Sequence, residues 1–224
     1  MRVGAPTQFG SYDVNMPYDL SQLLAFVWSG WITTWPTQLL ALIWLAWLVS
    51  WALGALWTGR TQKQVGTSAS QPYRIPIVLG GLLLTPWVAQ AFGIEPLWNL
   101  GNGSTYVLAG VTVAGTLFTW WARLHLGLMW SHAITRKEGH QVVDTGPYGL
   151  VRHPIYTGLI AAILATGIAV ATLTAVLGAS LITFGLFQKA RIEERFLAAE
   201  LGADVYEPYC RRVPMLVPFL RLTS

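Results

Sequence analysis

Residues 36–57 read PTQLLALIWLAWLVSWALGALW, an apolar run without a single charge. As a helix rising ~1.5 Å per residue, about 22 residues reach ~33 Å, enough for a ~30 Å hydrocarbon core. The same apolar density recurs along the chain. Residues 75–93 form a second run, interrupted by Pro86, which predicts a kink there. Residues 105–125 form a third. Residues 155–187 read as a hairpin of two shorter arms of ~16 residues each, turning near 169–174. Residues 20–35 are apolar but broken by Ser29, Gly30, Thr33 and Thr34, and read as an interfacial helix, with a sixth span as the alternative. The expectation is an all-α, polytopic transmembrane protein of about five spans.

Composition agrees. Of 224 residues 54% are hydrophobic and 11% charged, against about 25% charged in a typical soluble domain. So few charges cannot cover a water-facing surface. The single cysteine, Cys210, excludes an internal disulfide. The first twenty residues, MRVGAPTQFGSYDVNMPYDL, lack the apolar core of a cleavable signal peptide.

The charges orient the spans. Arg60, Lys63 and Arg74 lie between spans one and two, Arg136, Lys137 and Arg152 between three and four. Lys189, Arg191, Arg195, Arg211, Arg212 and Arg221 follow span five, while the stretch IEPLWNLGNGS between spans two and three has no basic residue. Arg123, at the end of span three, falls on the basic side and Arg2 is the exception. Five spans with alternating loops reproduce this asymmetry, and the positive-inside rule then places the C-terminus in the cytoplasm of a multi-pass cell-membrane protein. The formal charge of +4 is thereby an orientation signal, and nucleic acid is not expected as a partner.

Polar chemistry concentrates in residues 120–159, WWARLHLGLMWSHAITRKEGHQVVDTGPYGLVRHPIYTGL, which hold all four histidines: His125, His132, His140 and His153. No HxxxH or HxxHH pair places two imidazoles together on one helical face, and no thiolate cluster accompanies them, so no metal is expected. Gly146-Pro147 marks a turn. Arg152-His153-Pro154 launches the fourth span, with His153 at the cap and Pro154 at the first helical position. Free N–H groups at that start could receive a carboxylate or ribose oxygen. Interfacial anchoring by Tyr, His and Arg is the plainer alternative. Residues 189–202, KARIEERFLAAELG, read as an amphipathic cytoplasmic helix with Lys189 and Glu193 on one face, and Ile192, Phe196 and Ala199 as an apolar stripe. The tail YEPYCRRVPMLVPFL ends in a proline-broken apolar segment that returns to the membrane surface.

GHQVVDTGPYGLVRHPIYTG, followed by Glu193-Glu194 and then Tyr206, Tyr209 and RVPMLVPFL, resembles the isoprenylcysteine carboxyl methyltransferase family and, in its RHPxYxG…EE pattern, membrane phospholipid methyltransferases. The resemblance covers roughly residues 120–220. It implies an S-adenosylmethionine-dependent membrane methyltransferase domain at 105–224, after an N-terminal part at 1–104. The amphipathic helix and tail would close over the cofactor site. It further implies a cofactor lined by His140, Gln141, Val142, Val143, Tyr148, His153, Pro154, Ile155, Tyr156 and Glu193. Val142 stands where the family has leucine. Lys189 occupies the place of a substrate-carboxylate arginine and keeps the charge without the bidentate fork. A cofactor-binding glutamine of the eukaryotic enzymes falls near Thr135.

The acceptor implied is lipidic or small and apolar, with a carboxylate, thiol or amine as nucleophile. Arg152, Lys189 and Arg191 are candidates to hold a carboxylate, and Glu194 or His153 to take a proton. Trp44, Trp47 and Trp51 form a stripe on the first span that would border a lateral entrance or pack against lipid. Two other functions remain open: an NADPH-dependent membrane reductase of the sterol reductase type, and a non-catalytic transport or assembly subunit.

Overall fold

The structure is a computed structural model describing residues 35–56, 61–64, 67–127, 135–137 and 143–220. The interfacial helix expected at 20–35 lies almost entirely outside these residues. Among the described residues eight helices follow in order: α1 (Trp35–Gly54), α2 (Thr67–Leu84), α3 (Pro86–Ala91), α4 (Gly101–Leu126), α5 (Pro147–Leu150), α6 (Pro154–Val170), α7 (Leu173–Leu201) and α8 (Ala203–Arg212). A short antiparallel pair, β1 (Thr61–Gln64) and β2 (Thr135–Lys137), joins the α1–α2 and α4–α5 connections. The architecture is that of a helical membrane protein. Among the described residues two helices, α4 and α7, are long and apolar enough to cross a bilayer, and Gln38–Gly54 and Pro154–Val170 are shorter apolar helices.

Two expectations about element boundaries change. The second run does not kink at Pro86; α2 ends at Leu84 and α3 starts afresh at Pro86. Thr85 between them is extended, at φ −74° and ψ 132°, the conformation a following proline imposes on its predecessor. Nor is the amphipathic segment at 189–202 a helix of its own. It is the distal part of α7, which runs for 29 residues without a break. No proline interrupts Leu173–Leu201, and Lys, Arg, Glu, Ala and Leu are strong helix formers. At ~1.5 Å per residue α7 reaches ~43 Å, so its charged end outlasts a ~30 Å apolar core. The hairpin turn falls where expected: Ala171 takes a left-handed φ of 63°, and the Thr172 hydroxyl caps α7 by accepting from the Ala175 N–H.

Close packing depends on missing side chains. A Cβ on Gly158 of α6 would lie 2.5 Å from the Gly115 carbonyl oxygen of α4, and one on Gly80 of α2 would lie 2.6 Å from that of Gly178 in α7. Small residues let helix backbones approach where no hydrophobic effect drives them together. Ile163, Ala179, Ile182 and Leu186 form the core between α6 and α7.

Helix α1 attaches differently. The Trp47 indole N–H donates to Thr119 Oγ1 at 2.9 Å and that of Trp44 to Thr166 Oγ1 at 3.0 Å, while Trp120 returns a bond to Ser50. The tryptophan stripe therefore faces the bundle, and Leu42, Leu45, Leu48, Val49 and Leu53 face outward.

The bundle has two chemically distinct ends. At one, the Leu97 N–H donates to the Ala171 carbonyl and the Trp98 indole to that of Ile168. At the other, Arg123, 1% exposed, binds the carbonyls of Gly54 and Gly127, tying together the ends of α1 and α4. Cations at helix C-termini complement the macrodipole. This second end carries the strand pair and the polar cluster.

Candidate active site

The site is built where α6 begins and α7 ends. Pro154 opens α6 with His153 as its cap, so His153 and Tyr156 lie three residues apart and stack, ring centroids 5.4 Å apart with planes 6° apart. Opposite them, adjacent glutamates on α7 flank the same imidazole and differ in their further partners. Glu193 accepts from the Tyr156 hydroxyl at 2.6 Å, and its carboxylate lies 3.9 Å from His153 Nδ1. Glu194 accepts from Arg152 Nε at 2.6 Å and meets His153 Nε2 at 3.2 Å. One turn earlier, the Lys189 ammonium lies 5.3 Å from the Tyr156 ring centroid and 5.6 Å from that of Tyr73 on α2, within cation–π range.

The C-terminal segment covers this cluster. Arg152 Nη1 donates to the carbonyls of Cys210 and Val213, and the backbone N–H groups of Arg152 and His153 donate to Pro214 and Met215. Those two donors at the start of α6 are thus taken by the protein itself. Burial works against the Arg152 charge, but the hydrogen bond and charge of Glu194 outweigh it and hold the guanidinium pKa above its ordinary value. Helix α8 packs Tyr206, Tyr209 and Val213 into a small core of their own. The Tyr209 hydroxyl donates to the Tyr148 carbonyl at 2.9 Å. Burial raises the pKa of both phenols well beyond the ordinary value, so they stay protonated.

Tyr148 sits on the turn that Gly146-Pro147 announces, with Gly146 at φ 56°. A Cβ there would meet the His125 ring at 2.7 Å, so glycine is required on two counts. His125 also contacts Thr145 Oγ1 at 2.9 Å, and Asp144 pairs with Arg212 of α8 at 2.9 Å.

Of the residues singled out in the sequence, Arg152, His153, Tyr156, Lys189, Glu193 and Glu194 come together, with Tyr148 linked through Tyr209. Pro154 is buried at the start of α6 and Ile155 beside it is half-buried. Val143 is half-buried at the edge of the described residues; His140, Gln141 and Val142 lie outside them, as does His132. Arg191 does not join the cluster: it is exposed, its guanidinium 5.8 Å from the Phe187 ring. Two steps from Glu193 on a helix turns a side chain by ~200°, which puts it on the far face. Tyr73 carries no signal in the sequence, because it lies far from the motifs along the chain on a helix with no chemical motif. The carbonyls of Cys210 and Val213 were invisible too, since a backbone acceptor leaves no trace in residue type.

The model of the isoprenylcysteine carboxyl methyltransferase family matches residues 108–199, the stretch from the middle of α4 to the end of α7. The protein-S-isoprenylcysteine O-methyltransferase B of Arabidopsis thaliana is 27% identical over 155 residues, which cover 67% of this chain and 76% of the relative. The protein-S-isoprenylcysteine O-methyltransferase of Schizosaccharomyces pombe is 32% identical over 44% of this chain and 43% of its own. Methanethiol S-methyltransferase 2 of Bradyrhizobium diazoefficiens is 34% identical over 56% of this chain and 51% of its own. The alignment thus spans three quarters of the plant protein and about half, or less, of the other two. On these matches, residues 108–199 resemble the isoprenylcysteine carboxyl methyltransferase family, and the relatives support a membrane methyltransferase.

Proposed function

We propose that this chain uses S-adenosylmethionine to methylate a lipidic or small apolar acceptor bearing a carboxylate, thiol or amine. The observation that carries the reading is the pairing of Glu193 and Glu194 with Tyr156, His153 and Arg152 at the polar end of two apolar helices. Such a concentration of ionisable groups beside membrane-type helices is costly unless it serves a function.

The residues fit that cofactor. S-adenosylmethionine supplies an electrophilic methyl group on a sulfonium, and also carries an ammonium, a carboxylate and a ribose. Glu193 is the more accessible acid, its side chain 29% exposed against 20% for Glu194, and it has a single hydroxyl donor on one oxygen. It is placed to accept from a cationic or hydroxyl group. Tyr156 offers an aromatic face beside it. Glu194 is engaged with Arg152 and His153, which suits it to holding the site together. Methyl transfer by in-line displacement asks the protein mainly to align donor and nucleophile. Lys189 supplies positive charge for a carboxylate acceptor on the acceptor side, held between two tyrosine rings. An acceptor that arrives protonated can lose its proton to His153.

Two relatives are named for O-methylation of a protein S-isoprenylcysteine, and one for S-methylation of methanethiol, a small thiol. Both chemistries suit an apolar acceptor entering between helices. We assign the chemistry to residues 105–224. We further propose five spans, with α1, α2, α4, α6 and α7 crossing the membrane and the C-terminus in the cytoplasm. In support, the α1–α2 and α4–α5 connections meet at one end of the bundle, and the α3–α4 connection meets the α6–α7 turn at the other. Thermal shift of the detergent-purified protein tests the cofactor. S-adenosylhomocysteine should raise the melting temperature and NADPH should not. Stabilisation by NADPH alone would replace this reading with the reductase.

A further inference from the structure

Thr157 lies in the first turn of α6 and takes no part in the polar cluster. Threonines elsewhere in these helices bond back along their own helix: Thr112 to Leu108, Thr166 to Ala162 and Thr183 to Ala179, at 3.0, 2.8 and 2.8 Å. Thr157 differs. Its hydroxyl lies 3.2 Å from the His153 carbonyl of its own turn but 2.7 Å from the Leu216 carbonyl of the C-terminal segment. A hydroxyl has one proton, and the shorter contact claims it.

The consequence is a continuous attachment. Four consecutive carbonyls, Val213 to Leu216, are each bound by residues 152–157: by Arg152 Nη1, the Arg152 N–H, the His153 N–H and the Thr157 hydroxyl. The first of these donors is the guanidinium that also holds Glu194. Beyond Leu216 the chain turns outward, and Val217, Phe219 and Leu220 are 53%, 95% and 52% exposed. Among the described residues, Thr157 is therefore the last hydrogen-bonded attachment of this segment to α6.

We infer that Thr157 is a positioning residue: it fastens the 213–216 strap across the start of α6 and so keeps Arg152, and through it Glu194, in register for cofactor binding. This rests on the methyltransferase reading. A strap pinned at both ends of its four carbonyls leaves Arg152 one geometry. A strap free at Leu216 can peel back toward Val213 and draw the guanidinium from Glu194.

Thr157→Val keeps the shape and removes the proton donor; Thr157→Ser restores the donor with a smaller side chain. Two measurements decide. The first is limited trypsin cleavage after Arg211 and Arg212, in detergent without ligand. The second is the Kd for S-adenosylhomocysteine by calorimetry, with melting curves alongside. Thr157→Val should be cleaved faster and bind about three- to tenfold more weakly, the factor expected of one hydrogen bond, at a nearly unchanged melting temperature. Thr157→Ser should return to wild-type behaviour. Wild-type cleavage in the valine variant overturns the fastening. Faster cleavage with unaltered Kd makes the bond merely structural and overturns the positioning role. Failure of the wild-type protein to bind S-adenosylhomocysteine overturns the methyltransferase reading, and with it this inference.

Discussion

Adjacent glutamates separated by one helical step should respond in opposite ways to loss of charge. Glu193 accepts one hydrogen bond, from the Tyr156 hydroxyl, and its side chain is 29% exposed. Glu193→Gln keeps an amide oxygen to receive that bond, so the fold loses only charge assistance, within about 1 kcal/mol. If the carboxylate serves a cationic cofactor group, binding loses ~1.5–3 kcal/mol, or roughly ten- to a hundredfold in Kd. Glu194→Gln should act the other way round. Its partner Arg152 has a side chain only 13% exposed and would lose the one acid paired with it among the described residues, keeping the carbonyls of Cys210 and Val213. A charge left without its counterion in such a place costs about 2–3 kcal/mol of stability. The assay is S-adenosylhomocysteine titration of both variants beside their melting curves. The reasoning predicts an affinity defect without a stability defect in Glu193→Gln, and a clear loss of melting temperature in Glu194→Gln. Wild-type affinity in a folded Glu193→Gln would refute its place in the cofactor site. It would return the residue to the ordinary surface ion pairs, where exposed charges contribute little.

Lys189→Gln should leave cofactor affinity within about twofold and raise the KM for a prenylated cysteine about tenfold, since a charge-assisted hydrogen bond to a carboxylate is lost; steady-state kinetics with that acceptor would show it, and an unchanged KM would remove Lys189 from the acceptor site. Reporter fusions after Gly101 and after Ser224 should report opposite sides of the membrane, and matching signals would exclude the five-span topology.

The division between what could be read along the chain and what could not follows the range of the forces involved. Apolar runs and basic loops are properties of consecutive residues, because a bilayer selects segments by length and hydropathy alone; the sequence by itself therefore determined the helical membrane class and the hairpin turn before Leu173. Local chemistry was equally legible: Gly146-Pro147 turns, and Pro154 starts a helix with His153 as its cap, because proline's fixed φ acts on its immediate neighbours. The motif order also nominated Arg152, His153, Tyr156, Glu193 and Glu194, and the structure brings them together. Only the tertiary structure decided how they divide the work. Glu193 and Glu194 look equivalent as letters, but a ~100° step around α7 sends one to Tyr156 and the other to Arg152. The same rotation carries Arg191 out of the cluster. Tyr73, the inward-facing tryptophans and the four strap carbonyls depend on helices meeting across the bundle. Backbone oxygens are common to every residue, so their use by Arg152 and Thr157 is a fact of packing.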